Sequence, residues 1–167
     1  MKIRIAGITP ESVVDGPGIR LVFFMQGCVH DCPGCHNPAT HDLTGGREID
    51  VAELIDQLQE AKLIRGITLS GGEPFLQAEA LLPLVQAAKE RGLTVTAYSG
   101  YRFEELQAKT AAAALLQYID LLIDGRFIQE QRDLKLAFRG SANQRLVDVM
   151  KSLQQGQTVA WQEANAW

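Results

Sequence analysis

The chain has 167 residues, 46% hydrophobic and 22% charged, with 16 Lys and Arg against 20 Asp and Glu for a net charge of −4. That length fits one compact domain and falls short of the roughly 250 residues of a complete (β/α)8 barrel. The composition excludes disorder, collagen and coiled coil as descriptions of the whole chain, and an acidic balance without a Lys/Arg block argues against nucleic acid as the main ligand.

The opening segment, MKIRIAGITPES, turns polar too early for a secretory signal peptide. The longest apolar run, Leu21 to Met25, is far below the ~20 residues of a membrane span. The chain is therefore expected in the cytoplasm, with no membrane partner. Ile19 to Phe24 is rich in β-branched and aromatic residues and reads as a buried strand. A loop over residues 25 to 49 follows, and a loop of that length without secondary structure is functional or disordered. Asp50 then caps a helix, with Glu53 placed for a capping box and Val51, Leu54, Ile55 and Leu58 on one stripe. Ile67 to Ser70 is a strand running into Gly71-Gly72-Glu73-Pro74. A helix over Gln77 to Arg91 stops at Gly92. Leu93 to Tyr98 is a strand, residues 102 to 117 are helical with a break near Thr110, and Ile119 to Ile123 is a strand ending at Asp124-Gly125. A further strand lies near Arg145 to Val149. The glutamine-rich tail from Lys151 has no assignment.

Strands alternating with helices of this length imply βαβ units and a parallel sheet. Ligands of such sheets sit beyond the carboxyl ends of the strands. The long loop, the GGEP turn, the Tyr98-Ser99-Gly100 turn and the Asp124-Gly125 turn all follow strand ends, so they should converge on one rim.

All three cysteines fall in the long loop, as Cys28-x3-Cys32-x2-Cys35. An odd count argues against a disulfide framework. Three clustered thiolates suit a soft metal centre better than free thiols, which oxidise. A [4Fe–4S] cluster on three cysteines would keep one iron open to an exogenous ligand. Zinc could instead take the cysteines plus His30, His36 or His41, although no second ligand pair is present and a solvated role is commoner for a loop histidine. The glycine pair offers a backbone that a ligand can approach closely, and Glu73 adds an acceptor for a cation. Beside an open cluster iron, these features describe a receptor for an amino acid's ammonium group.

The cysteine spacing after the first strand, with GGEP after the second, resembles the radical S-adenosylmethionine enzymes. Within them, Val14 to Arg20 (VDGPGIR), Gly27 to Asn37, Leu69 to Pro74, Tyr98 to Tyr101, Ile123 to Phe127 and Arg139 to Arg145 (RGSANQR) are similar to the activating proteins of anaerobic (class III) ribonucleoside-triphosphate reductases. The resemblance implies an α/β fold: a reduced, open (β/α) partial barrel of about five to six mostly parallel strands. It spans residues 1–150 as the radical S-adenosylmethionine domain, with 151–167 an unassigned tail. It further implies an activating oxidoreductase in which Cys28, Cys32 and Cys35 hold a [4Fe–4S] cluster. S-adenosylmethionine would be bound by Gly34, Cys35, His36, Gly71, Gly72, Glu73, Ser99 and Asn143. By the same resemblance, a flavodoxin-like donor would reduce the cluster, S-adenosylmethionine would be cleaved to a 5′-deoxyadenosyl radical, and that radical would make a glycyl radical on the large reductase subunit. A small open barrel would let a loop of this protein substrate reach the cofactor.

Two positions depart from the family. Gly34 stands where most superfamily members have an aromatic residue, so His36 is the candidate to stack on adenine. Ala142 replaces a more usual serine. Arg20, Arg126 and Arg145 read either as loop-anchoring ion pairs or as contacts to the cofactor carboxylate or the partner. Asp15-Gly16-Pro17-Gly18 reads as a shaped turn. Other readings are an activator of a different glycyl-radical enzyme, a small radical enzyme acting on a metabolite, a structural or hydrolytic zinc protein, or a simple electron carrier.

Overall fold

A computed structural model describes residues 1–163. Seven strands form one mixed sheet in the order β3-β1-β2-β4-β5-β6-β7. The strands and helices run β1 (Lys2–Ser12), β2 (Arg20–Met25), β3 (Arg47–Asp50), α1 (Val51–Glu60), β4 (Gly66–Gly71), α2 (Ala78–Glu90), β5 (Thr94–Ser99), α3 (Phe103–Gln107), α4 (Thr110–Leu116), β6 (Leu121–Asp124), β7 (Arg145–Asp148) and α5 (Val149–Gln155). The inner strands β2, β4, β5 and β6 are parallel, as expected. On one side β1 runs antiparallel between β2 and β3, and on the other β7 runs antiparallel to β6. The sheet is open, with β3 and β7 at its two ends.

The strand count corrects the expected five to six. β1 was not foreseen, because only Ile3, Ile5 and Ser12 of its residues are buried and Gly7 and Pro10 interrupt the alternation. β3 lies inside the segment read as one loop, since a four-residue strand with Arg47 and Glu48 exposed carries no apolar pattern. The helix boundaries follow their caps. The Asp50 side chain accepts from Ala52 N at 3.1 Å, and Glu53 Oε1 accepts from Asp50 N at 3.2 Å. Gly92 takes a left-handed φ of 72° after α2.

Alternation along the strands gives the sheet two unlike faces. Leu21, Phe23, Met25, Ile67, Leu69, Val95 and Ala97 join Leu54, Leu58, Leu81, Val85 and Leu115 of α1, α2 and α4 in one core. The opposite face is polar for an interior. Arg20 is fully buried there, and its guanidinium donates to the hydroxyls of Thr68 (3.1 Å), Thr94 (2.8 Å) and Thr96 (3.0 Å) and to the carbonyls of Pro17 and Ile67. Burial lowers its pKa to about 10, so it stays charged at neutral pH. Arg20 thus ties the VDGPG turn to β4 and β5, the loop-anchoring one of its expected roles, through a set of buried hydrogen bonds. The Thr68 hydroxyl adds a bond to Asp15 O at 2.7 Å.

The carboxyl-terminal segment returns to the sheet. Beyond α5, Asp148 N donates to Val159 O and Trp161 N donates to Leu146 O, both at 2.9 Å, and Trp161 packs with Leu121 and Ile123. Residues 164–167 of the expected tail lie outside the described residues. Among the described residues, no helix is long and apolar enough to cross a membrane.

Candidate metal and cofactor site

The four turns at the carboxyl ends of β2, β4, β5 and β6 converge, as the topology requires. They enclose an open cavity of about 350 Å3 whose wall includes Cys28, Cys32, Cys35, Gly72, Gly100 and Gly125. Gly71 and Gly72 bring the end of β4 against the start of the cysteine loop. A Cβ at Gly72 would lie 2.3 Å from Gly27 O, and one at Gly71 would lie 2.5 Å from Met25 O. Gly72 N donates to Met25 O and Glu73 N donates to Gly27 O, each at 2.8 Å. The glycine pair is therefore required by backbone packing as well as by access to the cavity.

The three cysteines are unbonded and partly exposed. Cys35 N donates to Cys32 O at 3.1 Å, closing the turn at Pro33-Gly34, and Asn37 N donates to Cys35 Sγ at 3.4 Å. Burial pushes the Cys28 thiol up, with the backbone N–H groups of His30 and Asp31 pulling the other way. Burial likewise raises Cys32, opposed by the backbone N–H of Phe127. These N–H groups favour ionised sulfur, the form that binds metal. Among the described residues, no three His, Cys, Asp or Glu side chains gather around one point. Three soft donors on one cavity wall, with N–H groups aimed at sulfur, fit a cluster.

Of the residues expected to hold a cofactor, Cys35, His36, Gly71, Gly72 and Ser99 line the cavity. His36 packs on Phe127 with ring centroids 5.2 Å apart. Gly34 does not line the cavity; it lies under Gln129, whose side chain a Cβ would meet at 2.9 Å. Asn143 also lies outside the lining. Its amide donates to Arg126 O at 2.7 Å, while its Oδ1 is buried without a partner. Glu73 departs furthest from its expected role. It is fully buried and does not line the cavity. Its carboxylate already accepts from His30 Nε2 (2.7 Å), Ser99 Oγ (3.0 Å), Gly100 N (2.9 Å) and Phe75 N (3.1 Å). The carboxylate is thus enclosed by four donors from three separate stretches of the chain.

Arg145 takes the loop-anchoring role, with Nη2 at 2.5 Å from Asp124 and 2.9 Å from Glu104. Arg126 is exposed. The RGSANQR segment reaches the cavity elsewhere, through Arg139, Gly140 and Gln144. Arg139 is the one Lys or Arg among the residues lining the cavity, and its Nε is buried without a partner. Gln144 organises this segment: its Oε1 accepts from Gly140 N and Ser141 N, its amide donates to Gly125 O, and its carbonyl accepts from Arg139 Nη1 at 2.6 Å. The sequence marks the segment, but not that Arg139 rather than Asn143 faces inward.

Comparison with known proteins matches residues 14–147 to a family described as a 4Fe-4S single cluster domain. A protein of Vibrio cholerae is 43% identical over 143 residues, covering 81% of this chain and 91% of its own length. One of Haemophilus influenzae is 41% identical with the same coverage. One of enterobacteria phage T4 is 36% identical over 146 residues, covering 83% of this chain and 90% of its own length. All three are named anaerobic ribonucleoside-triphosphate reductase-activating protein.

Proposed function

The chain belongs to the anaerobic ribonucleoside-triphosphate reductase-activating proteins, with a 4Fe-4S single cluster domain, and from that premise we propose how its residues perform the activation. The protein is an activating enzyme and the reductase is its partner. Cys28, Cys32 and Cys35 hold the cluster and leave one iron for the amino and carboxylate groups of S-adenosylmethionine. When bound and reduced, the cluster would supply the one electron for reductive cleavage of S-adenosylmethionine to methionine and a 5′-deoxyadenosyl radical, which would take hydrogen from a glycine Cα of the reductase. The electron comes from a flavodoxin-like donor.

The chain's own part is to bind, orient and shelter. The carbonyls of Gly71 and Gly72 are the acceptors for the protonated amine. The Arg139 guanidinium, charged and facing inward, meets the carboxylate. His36, backed by Phe127, offers a ring surface for adenine. The sheet, an incomplete barrel in this reading, leaves the cavity open to a loop of a large protein. Val14 lines that opening, and Val13 beside it is 71% exposed, which gives the partner an apolar rim.

The observation that carries this reading is the single cavity wall shared by three thiols and the glycine pair. The test is anaerobic reconstitution with iron and sulfide, reduction, and addition of S-adenosylmethionine and the reductase. A glycyl doublet by electron paramagnetic resonance, with matching release of 5′-deoxyadenosine, is expected. Release of 5′-deoxyadenosine without a doublet would point to another glycyl-radical partner. No release, or material without inorganic sulfide, would sink the proposal.

A further inference from the structure

Trp161 completes a small apolar cluster on the sheet face away from the helices. It packs with Leu121 and Ile123 of β6, and Tyr98, Phe138 and Leu146 pack against the same group. Two of these, Tyr98 and Phe138, also line the cavity. The carboxyl-terminal segment therefore supplies a side chain that underlies part of the site's wall. Its backbone fixes the indole there. Trp161 N donates to Leu146 O at 2.9 Å, and Ala160 bridges Val147 in antiparallel register. The Trp161 and Phe138 rings meet with centroids 6.3 Å apart and planes at 72°, the near-perpendicular contact that aromatic pairs favour.

Phe138 stands in an unusual conformation. Its φ of 64° lies in the left-handed region, where a bulky side chain is a genuine outlier. A residue keeps such a conformation only where its surroundings over-determine it. The two residues that follow both line the cavity. Arg139 has its buried Nε without a partner, and Gly140 is so close to Phe127 and His36 that a Cβ would lie 3.2 Å from one ring and 3.3 Å from the other. Gln144 holds this segment from the downstream side, accepting from Arg139 Nη1 and from Gly140 N. Phe138 sets its direction from the upstream side, and Trp161 braces Phe138.

We propose that Trp161 is a positioning residue for the cofactor carboxylate: the indole seats the Phe138 ring, and the left-handed turn at Phe138 directs Arg139 into the cavity. The proposal rests on Arg139 being the partner of that carboxylate. Trp161 does not line the cavity and acts only through Phe138. It keeps the binding-competent arrangement populated, and apparent affinity falls in proportion as that population falls.

The test is calorimetry with S-adenosylhomocysteine and with 5′-methylthioadenosine, which lacks the carboxylate. It compares reconstituted wild type, Trp161→Leu, Trp161→Phe, Arg139→Gln and the double variant Trp161→Leu/Arg139→Gln. Leucine keeps apolar cover over Leu121 and Ile123 but removes the ring that Phe138 meets, whereas phenylalanine keeps a ring. Trp161→Leu should bind S-adenosylhomocysteine about 3- to 10-fold more weakly, the worth of one aromatic pair, with 5′-methylthioadenosine unchanged. Trp161→Phe should stay close to wild type, and the double variant should be no worse than Arg139→Gln alone. Should Trp161→Leu not fold, Phe138→Ala removes the same contact from its other side and should show the same selective loss. In whichever variant is read, equal losses for both ligands, or wild-type affinity for both, overturns the proposal. So do additive losses in the double variant. Arg139→Gln that keeps wild-type affinity for S-adenosylhomocysteine overturns instead the carboxylate reading beneath it.

Discussion

Arg139 illustrates how a single atom shows a site its purpose. A guanidinium keeps its charge, and a buried N–H without an acceptor is costly unless a ligand supplies one. Its Nη1 is held by Gln144 O, so the unpaired Nε keeps a fixed direction. Replacing Arg139 with Gln should weaken S-adenosylhomocysteine binding to the reconstituted protein about 10-fold or more, the loss of one charge-assisted bond. Affinity for 5′-methylthioadenosine, which lacks the carboxylate, should not change; calorimetry with both ligands checks this, and parallel losses would remove Arg139 from the carboxylate. The cysteine triad was legible because its spacing is local. The burial of Glu73 was not legible because three of its donors come from His30, Ser99 and Gly100, which only the fold brings to it. Asn143 and Arg139 sit four residues apart in one motif, and nothing in the sequence says which turns inward.

At the level of elements, β6, β7 and α3 are joined by charge. Arg145 of β7 bridges Asp124 at the end of β6 to Glu104 of α3, and Thr158 donates to Glu104 Oε1 at 2.6 Å. Hydrogen bonds from Arg145, then from Thr158, hold Glu104 down at about 2, against an ordinary value of 4.5. A carboxylate lowered on folding adds stability above its unfolded pKa and loses it as pH falls through the folded one. The bridge should therefore be complete above about pH 4.5 and fade toward pH 2. Because Glu104 is half exposed, solvent screening limits its contribution to at most about 1 kcal/mol. Denaturant titrations on wild type and Glu104→Gln should show a smaller stability difference at pH 3 than at pH 6; a constant difference would disprove the assignment. The elements read correctly from sequence, α1, β4, α2 and β5, combine strong apolar periodicity with a cap or a glycine stop. Those missed, β1 and β3, are held by register with neighbours: Lys2 to Ile5 pair with Asp50 to Arg47. Gln77 adds a side-chain clamp, bonding Arg4 N and O at 2.8 Å each. Such tertiary support leaves little trace in local sequence.

For the molecule as a whole, the open sheet separates two tasks. The helix-covered face carries the apolar core, and the other carries Arg20, the threonine hydroxyls and the cavity. The parallel centre and the convergence of four turns followed from the alternation of strands and helices, because handedness and short connections leave few alternatives. The antiparallel flanks did not, since no periodicity says where a sheet must end.

How the sheet ends at β7 bears on handling the protein. Val159 to Trp161 occupy the outward backbone groups of that strand, and the indole covers Leu121 and Ile123. A chain stopped after Gly156 would bare a ready template on which a second copy could zip, beside greasy side chains newly wetted. Light scattering should then report growing multimers from an otherwise correctly folded truncation; a monodisperse product would show that the last residues are dispensable as a seal.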